Sequence, residues 1–201
     1  MPNQVVRHPL LTTPHPLALA VFGINVSGGC AMTRAPGTLA VSWPEIKHIA
    51  QLAERAGFDA LIPVARWRGM GGATNFNHRS FEPFTLASAL AACTERIGLF
   101  STCHVPTAHP VRVAKEFATV DHVSGGRFGL NIVAGWNAAE IGMFGSEQLE
   151  HDARYEAADD WISFIKALWT NNQSFDYQGR YFQSPGAYSE PKPLQPEPLI
   201  M

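Results

Sequence analysis

The chain has 201 residues, of which 46% are hydrophobic and 16% are charged, and its formal net charge at pH 7 is −2. This composition predicts one substantial folded domain with a buried core and excludes an intrinsically disordered chain. The low net charge, without any block of like charges, argues against nucleic acid or an anionic membrane as a partner.

The start of the chain and its cysteines indicate the compartment. Residues 1–19 contain several prolines and no continuous apolar segment, so we expect an irregular arm that is neither a signal peptide nor a membrane span. The three cysteines, Cys30, Cys93 and Cys103, form no C-x-x-C pair, which favours a reducing compartment without a disulfide framework. Together these features predict a cytoplasmic protein.

From residue 20 onward, short apolar strands alternate with amphipathic helices. Ser42-Trp43-Pro44-Glu45 is a capping box with proline at the first helical position, and Gly57 ends the helix that this box begins. The same strand-then-helix pattern recurs along the chain. The predicted strands are 20–26, 58–65, 97–103 and the apolar run within 124–136, and the later predicted helices are 83–93, 110–123 and 153–169.

Two further segments follow the last helix. Residues 175–177 and 180–182 flank Gln178-Gly179, which is typical of a β-hairpin. Residues 198–201, Pro-Leu-Ile-Met, have the composition of the first residues of another buried strand. Residues 20–201 therefore contain about four β/α units, a hairpin insertion and the start of a fifth strand.

Repeated β/α alternation predicts a parallel sheet with right-handed crossovers. Two α/β architectures fit this pattern, a doubly wound sheet and a (β/α)₈ TIM barrel. The first strand is not followed by G-x-G-x-x-G, which weakens the doubly wound, dinucleotide-binding alternative. A complete barrel needs eight units and typically about 250 residues. We therefore expect residues 20–201 to form the N-terminal half of a barrel.

The segment 124–140 is the best candidate for the floor of an active site. Gly125-Gly126 ends a helix, and the apolar run that follows contains Asn131. An amide inside a buried strand is costly unless something binds it. Glu140 lies just beyond the end of this strand, where parallel α/β folds build their sites.

The carboxyl ends of parallel strands and the N-termini of the following helices lie on one side of the sheet. This rule gathers polar side chains that show no metal-ligand spacing, no G-x-S-x-G motif and no P-loop. A polar site without its own nucleophile suits an anionic organic cofactor that brings the chemistry. The gathered residues are Asn25, Ala65, Arg66, Thr102, Cys103, His104, the run from Asn131 to Trp136, Glu140, Arg154 and Tyr155.

Arg154 lies four residues before Ala158, on the inward stripe of its helix. A phosphate bound there would meet a guanidinium and free backbone N–H groups. The alternative is an ion pair with Glu150 or Asp152. The other candidates have structural alternatives as well: Thr102 as a strand filler, Asn131 bonded to neighbouring backbone, Glu140 as a solvated carboxylate and His104 as a packed histidine.

Three segments together resemble the bacterial luciferase-like flavin monooxygenases. They are Ser-Gly-Gly-Arg-Phe-Gly-Leu-Asn-Ile-Val-Ala-Gly-Trp at 124–136, Arg-Trp-Arg-Gly-Met-Gly-Gly at 66–72 and His-Asp-Ala-Arg-Tyr at 151–155. The pyrimidine, alkanesulfonate and dimethylsulfone monooxygenases are similar branches. The resemblance implies a luciferase-like (β/α)₈ barrel in a two-component enzyme. Such an enzyme takes reduced FMN from a flavin reductase and uses O₂ to oxygenate a small sulfur- or nitrogen-containing compound.

The resemblance also implies roles for individual residues. Lysine occupies the position of Arg66 in the pyrimidine branch, so Arg66 departs from that branch. Further phosphate contacts of the family belong to the second half of the barrel, and no metal is implied. The implied flavin contacts are Ala65, Arg66, Asn131, Glu140, Arg154 and Tyr155, and the implied catalytic pair that positions O₂ is Thr102 and Asn131.

Two alternatives remain open at this point. The first is an F420- or flavin-dependent dehydrogenase on the same barrel, because the family includes deazaflavin members. The second is a truncated flavin-binding fragment without activity. We expect the full-length protein to form a homo-oligomer, and residues 1–201 alone to form neither a closed barrel nor an active enzyme, since edge strands would expose unpaired backbone groups.

Overall fold

The computed structural model describes residues 5–201, so the first four residues of the predicted arm lie outside the described part of the chain. The strands are β1 (Ala20–Phe22), β2 (Ala60–Ile62), β3 (Gly98–His104), β4 (Phe128–Val133), β5 (Phe175–Gln178), β6 (Gln183–Ala187) and β7 (Leu199–Ile200). The α-helices are α1 (Trp43–Ala56), α2 (Pro83–Ala91), α3 (Pro110–Ser124), α4 (Ala138–Met143) and α5 (His151–Thr170), with short 3₁₀ turns at Pro9–Leu11 and Val105–Thr107.

One parallel sheet organises the chain, in the strand order β1-β2-β3-β4-β7. Every pairing in this sheet is parallel, and helices connect the successive strands β2, β3 and β4. The central pair β3-β4 has the longest register, from Leu99 opposite Phe128 to His104 opposite Val133. The predicted parallel α/β class is confirmed.

Helix α1 begins and ends at the signals in the sequence. The Ser42 hydroxyl accepts a hydrogen bond from the Glu45 N–H (3.4 Å), which satisfies a free donor in the first turn of α1. Gly57 ends this helix with φ 84°, a left-handed conformation that favours glycine. Within residues 5–201, no helix combines the length and the apolar character that a membrane span requires.

The hairpin differs from the sequence prediction in its second strand. Residues 180–182 were expected to pair with 175–177, whereas β6 begins at Gln183. The reason is Asp160 on α5, whose carboxylate accepts hydrogen bonds from the backbone N–H of Tyr181 (2.6 Å) and of Phe182 (3.1 Å). These donors hold the hairpin loop against α5 and are therefore unavailable to a neighbouring strand.

The two faces of the sheet have different roles. On β3, Leu99 and Cys103 belong to the hydrophobic core that the sheet forms with α2, α3 and α5. Phe100, Thr102 and His104 alternate with them and so project from the opposite, inner face. Gly129 lies opposite Phe100, and a Cβ atom at this glycine would collide with the Phe100 ring.

At the N-terminal end of the sheet, a buried polar network closes the fold. The Arg127 guanidinium lies inside the protein and has no carboxylate partner among residues 5–201, and burial lowers its pKa. All five of its N–H donors are nevertheless used. Their acceptors are the carbonyl oxygens of Ser124, Ile97, Ala91 and Thr94 and the hydroxyl oxygen of Thr94.

The arm reaches this same end of the sheet. His8 is completely buried and packs against the Phe100 ring, with 5.1 Å between the ring centroids. Its Nδ1 accepts the N–H of Leu10, while its Nε2 has no partner within residues 5–201. The arm therefore fills the bottom of the inner face with an aromatic pair.

Candidate functional site

Thr102 and Asn131 form the centre of the inner face. They lie directly opposite each other on β3 and β4. The Thr102 hydroxyl donates to the Pro63 carbonyl oxygen (2.5 Å) and accepts from the Asn131 Nδ2 (3.0 Å). The Asn131 side chain is thus bonded to a hydroxyl rather than to the backbone. The side-chain carbonyl oxygen of Asn131 has no donor within residues 5–201. This arrangement orients the amide and leaves one acceptor free for a ligand.

Arg66 and Glu140 form a buried ion pair at the C-terminal edge of the sheet. The Arg66 Nη1 lies 3.0 Å from the Glu140 Oε2, and the Glu140 side chain has no solvent-exposed surface. The other carboxylate oxygen accepts the backbone N–H of Trp67 (2.9 Å) and of Arg68 (3.1 Å). Glu140 is therefore not the solvated carboxylate of the alternative interpretation. Its bonds fix the loop that follows β2, directly after the buried Ala65.

Helix α4 delivers Glu140, and this helix is absent from the predicted elements. Asn137 caps it by accepting the N–H groups of Ala139 (3.1 Å) and Glu140 (3.4 Å). The sequence Asn-Ala-Ala-Glu at 137–140 contains this capping signal, an Asn followed three residues later by Glu. Trp136, which the topological rule places at the C-terminal end of β4, packs its ring against the Arg66 guanidinium at 5.2 Å.

Arg154 links α5 to the end of β4. Its Nη1 donates to the Gly135 carbonyl oxygen (2.5 Å), and within residues 5–201 it forms no ion pair with Glu150 or Asp152. Its Nε is buried and has no hydrogen-bond partner among the described residues. The adjacent Tyr155 is 61% exposed and therefore accessible to a ligand.

Arg154 also lines a cavity of about 440 Å³ at the rim of the sheet. The turn after β3, the loop before α5 and the hairpin loop form its walls. These walls are mainly apolar, so Arg154 is a cation beside an apolar space. The lining includes Val105, Pro106, His109, Ala134, Phe144, Leu149, Tyr181 and Phe182.

Asn25 and His104 differ sharply in how their polar atoms are used. Asn25 donates to the carbonyl oxygens of Val64 (2.8 Å) and Phe81 (2.9 Å) and accepts the Val64 N–H (2.8 Å), so it clamps the loops together. His104 is 5% exposed, yet its ring makes no hydrogen bond within residues 5–201. Burial lowers the pKa of His104, an effect that the nearby Glu140 opposes and Arg66 reinforces.

The side chains of this site suit an organic ligand rather than a metal ion. Among the described residues, no three His, Cys, Asp or Glu side chains lie close enough together to hold a metal ion. Cys103, which the topological rule also gathered, faces the helices, and burial raises the pKa of its thiol well above the usual range. The free groups are amide, imidazole and guanidinium, which suit an anionic cofactor with polar ring atoms.

Comparison with known sequences identifies relatives. The family profile described as luciferase-like monooxygenase matches residues 22–201. A pyrimidine monooxygenase of Acinetobacter baylyi is 37% identical over 150 residues, which cover 73% of this chain and 40% of the relative. The FMNH₂-dependent dimethylsulfone monooxygenase of Pseudomonas putida is 32% identical over 186 residues, which cover 92% of this chain and 50% of the relative.

Solved structures with the same fold have low sequence identity. The EDTA monooxygenase of Chelativorans sp. is 23% identical with a TM-score of 0.78, covering 92% of this chain and 50% of that one. An F420-dependent secondary alcohol dehydrogenase is 20% identical with a TM-score of 0.74, covering 91% of this chain and 51% of that one. At such identities the likeness shows the fold alone. The chain spans about half the length of the relatives and structures that it matches.

Proposed function

The chain belongs to the luciferase-like monooxygenase family, and on that basis we propose that it is part of a two-component, FMNH₂-dependent monooxygenase. The observation that carries the proposal is the group of unused polar atoms at the C-terminal edge of the sheet. The Nε atoms of Arg66 and Arg154 are buried without a partner within residues 5–201, and the Asn131 carbonyl oxygen, which is not fully buried, has no donor there either. A buried polar group that stays unpaired costs about 1–3 kcal/mol, and a bound cofactor would remove that cost.

These groups fit reduced FMN. Arg154 offers a guanidinium next to the first turn of α5, a combination that favours a phosphate. Tyr155 is exposed beside it, and Ala65 and Arg66 lie at the end of β2. Glu140 contributes to cofactor binding indirectly, because its buried carboxylate holds the Arg66 guanidinium in place. When bound, reduced FMN supplies the electrons that activate O₂.

Thr102 and Asn131 are proposed to position O₂ at the cofactor. The hydroxyl of Thr102 is held between Pro63 and Asn131, so the amide has a fixed orientation. A preorganised dipole acts on charge that develops during the reaction without a cost of reorganisation. This pair therefore serves as the catalytic pair of the site.

The substrate is proposed to be a small sulfur- or nitrogen-containing organic compound. Support comes from the two relatives described by name, a pyrimidine monooxygenase and a dimethylsulfone monooxygenase. A separate flavin reductase is the proposed partner because the Pseudomonas putida relative is described as FMNH₂-dependent, and an enzyme of that kind uses FMN that is already reduced. We further propose that the full-length protein is a homo-oligomer.

Incorporation of oxygen from O₂ into a product tests the proposed function. The protein that contains this chain is supplied with FMN, NADH and a flavin reductase, and substrate-dependent incorporation of ¹⁸O from ¹⁸O₂ is measured by mass spectrometry. Incorporation of one labelled atom into the product is expected. The fold likeness to an F420-dependent alcohol dehydrogenase makes F420 reduction by an alcohol the alternative outcome. That result, with no incorporation of label, would contradict the proposal.

A further inference from the structure

His104 has the properties of a ligand-binding side chain that the proposed function has not used. It lies at the last position of β3, two residues beyond Thr102 and therefore on the same inner face. Its place in the register is opposite Val133, one step closer to the C-terminal edge than the Thr102–Asn131 pair. His104 therefore lies one layer above the Thr102–Asn131 pair, closer to the C-terminal edge of the sheet.

The surroundings of β3 support this assignment of faces. Cys103 packs in the hydrophobic core, and Arg112 and Glu116 of α3 act on it electrostatically. His104 instead experiences Glu140 and Arg66, which lie at the C-terminal edge of the sheet. The imidazole therefore projects into the site and away from the helices.

His104 is 5% exposed, and its ring has no hydrogen-bond partner within residues 5–201. Its backbone carbonyl, in contrast, accepts the Thr107 hydroxyl (3.0 Å), so the strand end itself is fixed. Neither ring nitrogen is one of the fully buried unpaired atoms of residues 5–201, so a ligand that replaces water can reach them. Because burial lowers its pKa, the imidazole is neutral at neutral pH and offers one donor and one acceptor.

Apart from Arg154, whose guanidinium the proposed function assigns to the phosphate of FMN, the floor around His104 carries no net charge. Thr102 and Asn131 are uncharged, and the buried Arg66 is neutralised by Glu140 at 3.0 Å. The neighbouring Arg68 and Arg79 are exposed, where water and salt screen their charge. An anionic substrate group would therefore lose its hydration at this floor and would find no unpaired cation there to replace the lost water.

We propose that His104 is a substrate-binding residue whose imidazole hydrogen-bonds a small, uncharged, polar substrate above the Thr102–Asn131 pair. This inference rests on the proposed function and adds the substrate class and the residue that recognises it. The complementary substrate carries a hydrogen-bonding oxygen or nitrogen, as an amide-like ring or a sulfone does, and not a sulfonate.

The experiment compares three probes, two His104 variants and one control variant in the protein that contains this chain. Uracil and dimethylsulfone are the uncharged probes, and methanesulfonate is the anionic probe. His104→Phe removes both hydrogen-bonding atoms, and His104→Gln keeps a donor and an acceptor. His48→Phe on α1, an exposed position, is the matched control for a histidine-to-phenylalanine change.

We expect turnover of an uncharged probe and none of methanesulfonate. His104→Phe should raise KM for the accepted probe about tenfold or more, with kcat changed far less, because it removes a hydrogen bond to the substrate. His104→Gln should recover most of the affinity, and His48→Phe should match the wild type. Thermal unfolding of each variant checks that the fold is kept.

Fluorescence titration with FMN separates this inference from the proposed function. An FMN affinity within twofold of wild type in His104→Phe, together with the raised KM, supports the assignment. Preference for methanesulfonate, acceptance of none of the probes while FMN binds, or an unchanged KM in His104→Phe would overturn it. Failure of the wild type to bind FMN would instead contradict the proposed function.

Discussion

The two ends of the sheet differ in how completely their buried charged side chains are hydrogen-bonded. At the N-terminal end, Arg127 donates all five of its N–H groups to neighbouring oxygens. Asp121 nearby accepts three hydrogen bonds, from the backbone N–H of Leu194 and Gln195 and from the Gln195 side chain. At the C-terminal end, Arg66 and Arg154 each keep a buried Nε without a partner within residues 5–201.

This difference separates stability from function within one sheet. Burying a guanidinium is costly, and the fold accepts the cost at Arg127 because every donor is satisfied. At Arg66 and Arg154 the satisfaction is incomplete, which is tolerated where a ligand completes it. In barrels of this kind the N-terminal face stabilises and the C-terminal face carries the site. Substitutions at the two ends should therefore have different measurable consequences.

Replacing Arg127 should have the largest effect on stability. Arg127→Met keeps much of the apolar stem but leaves several buried carbonyl oxygens without donors, so we expect a loss of about 3–5 kcal/mol in the free energy of unfolding. Chemical denaturation of the protein that contains this chain measures the loss. The control is Arg96→Met, at an exposed arginine paired loosely with Glu95 at 3.8 Å, which should change stability by less than about 0.5 kcal/mol. Equal losses in both variants would remove the distinction.

Replacing Asn131 should leave stability nearly intact but slow the reaction with oxygen. Asn131→Ala removes the amide beside Thr102, and losing one preorganised polar group of this kind costs about 10²–10³ in rate. Stopped-flow mixing of the reduced, FMN-loaded protein with O₂ measures this rate. Ser101→Ala is the control, because Ser101 is buried on the same strand but faces the helices. A wild-type rate in Asn131→Ala would remove this residue from the catalytic pair.

Local sequence signals predicted the main architecture correctly. The Ser42 capping box and Gly57 define α1 because capping depends on residues close together in the chain. Thr102 and Asn131 were expected at neighbouring strand ends, and the parallel register places them opposite each other. Alternation along β3 then determines which side chains share a face.

Long-range contacts could not be predicted in the same way. The burial of Glu140 depends on Arg66, which lies 74 residues earlier in the chain. The start of β6 depends on Asp160, whose carboxylate holds the Tyr181 and Phe182 N–H groups. The insertion of His8 beneath Phe100 likewise depends on a contact between the arm and a distant strand. No local pattern encodes any of these partners, although the capping signal at Asn137 was available and would have indicated α4.

The buried His8 makes the N-terminal end sensitive to acid. Burial lowers the pKa of His8 from 6.5 to about 4, so the unfolded chain binds a proton more readily than the folded one. The contribution of the neutral, buried His8 to the free energy of unfolding is fully present above about pH 6.5. It is lost as the pH falls towards 4, and the loss amounts to about 3 kcal/mol in total. His8→Asn keeps an acceptor for the Leu10 N–H and should lose this part of the pH dependence. Parallel stability profiles of the variant and the wild type between pH 4 and 7 would contradict the assignment.

Replacing Arg154 should have the smallest effect of the four, and it should appear in binding rather than in stability. Arg154→Ala removes a guanidinium that uses one hydrogen bond, to the Gly135 carbonyl oxygen, and keeps its Nε free for a ligand. If that cation binds the phosphate of FMN, its loss weakens binding by about 1.5–3 kcal/mol, the scale of a charge-assisted hydrogen bond. Fluorescence titration with FMN measures the change, and riboflavin, which lacks the phosphate, should bind the variant and the wild type equally.

Two comparisons make the Arg154 prediction specific. Arg112→Ala on α3 is the control, since Arg112 is exposed and paired with Glu116 at 3.5 Å outside the site. It should leave FMN affinity unchanged, which excludes a general effect of lost positive charge. FAD should bind wild type more weakly than FMN, because the helix terminus and guanidinium suit a terminal phosphate and not an adenylate. An Arg154→Ala variant with wild-type affinity for FMN would contradict the assignment of this guanidinium to the phosphate, and the contrast between the two ends of the sheet would then rest on Arg66.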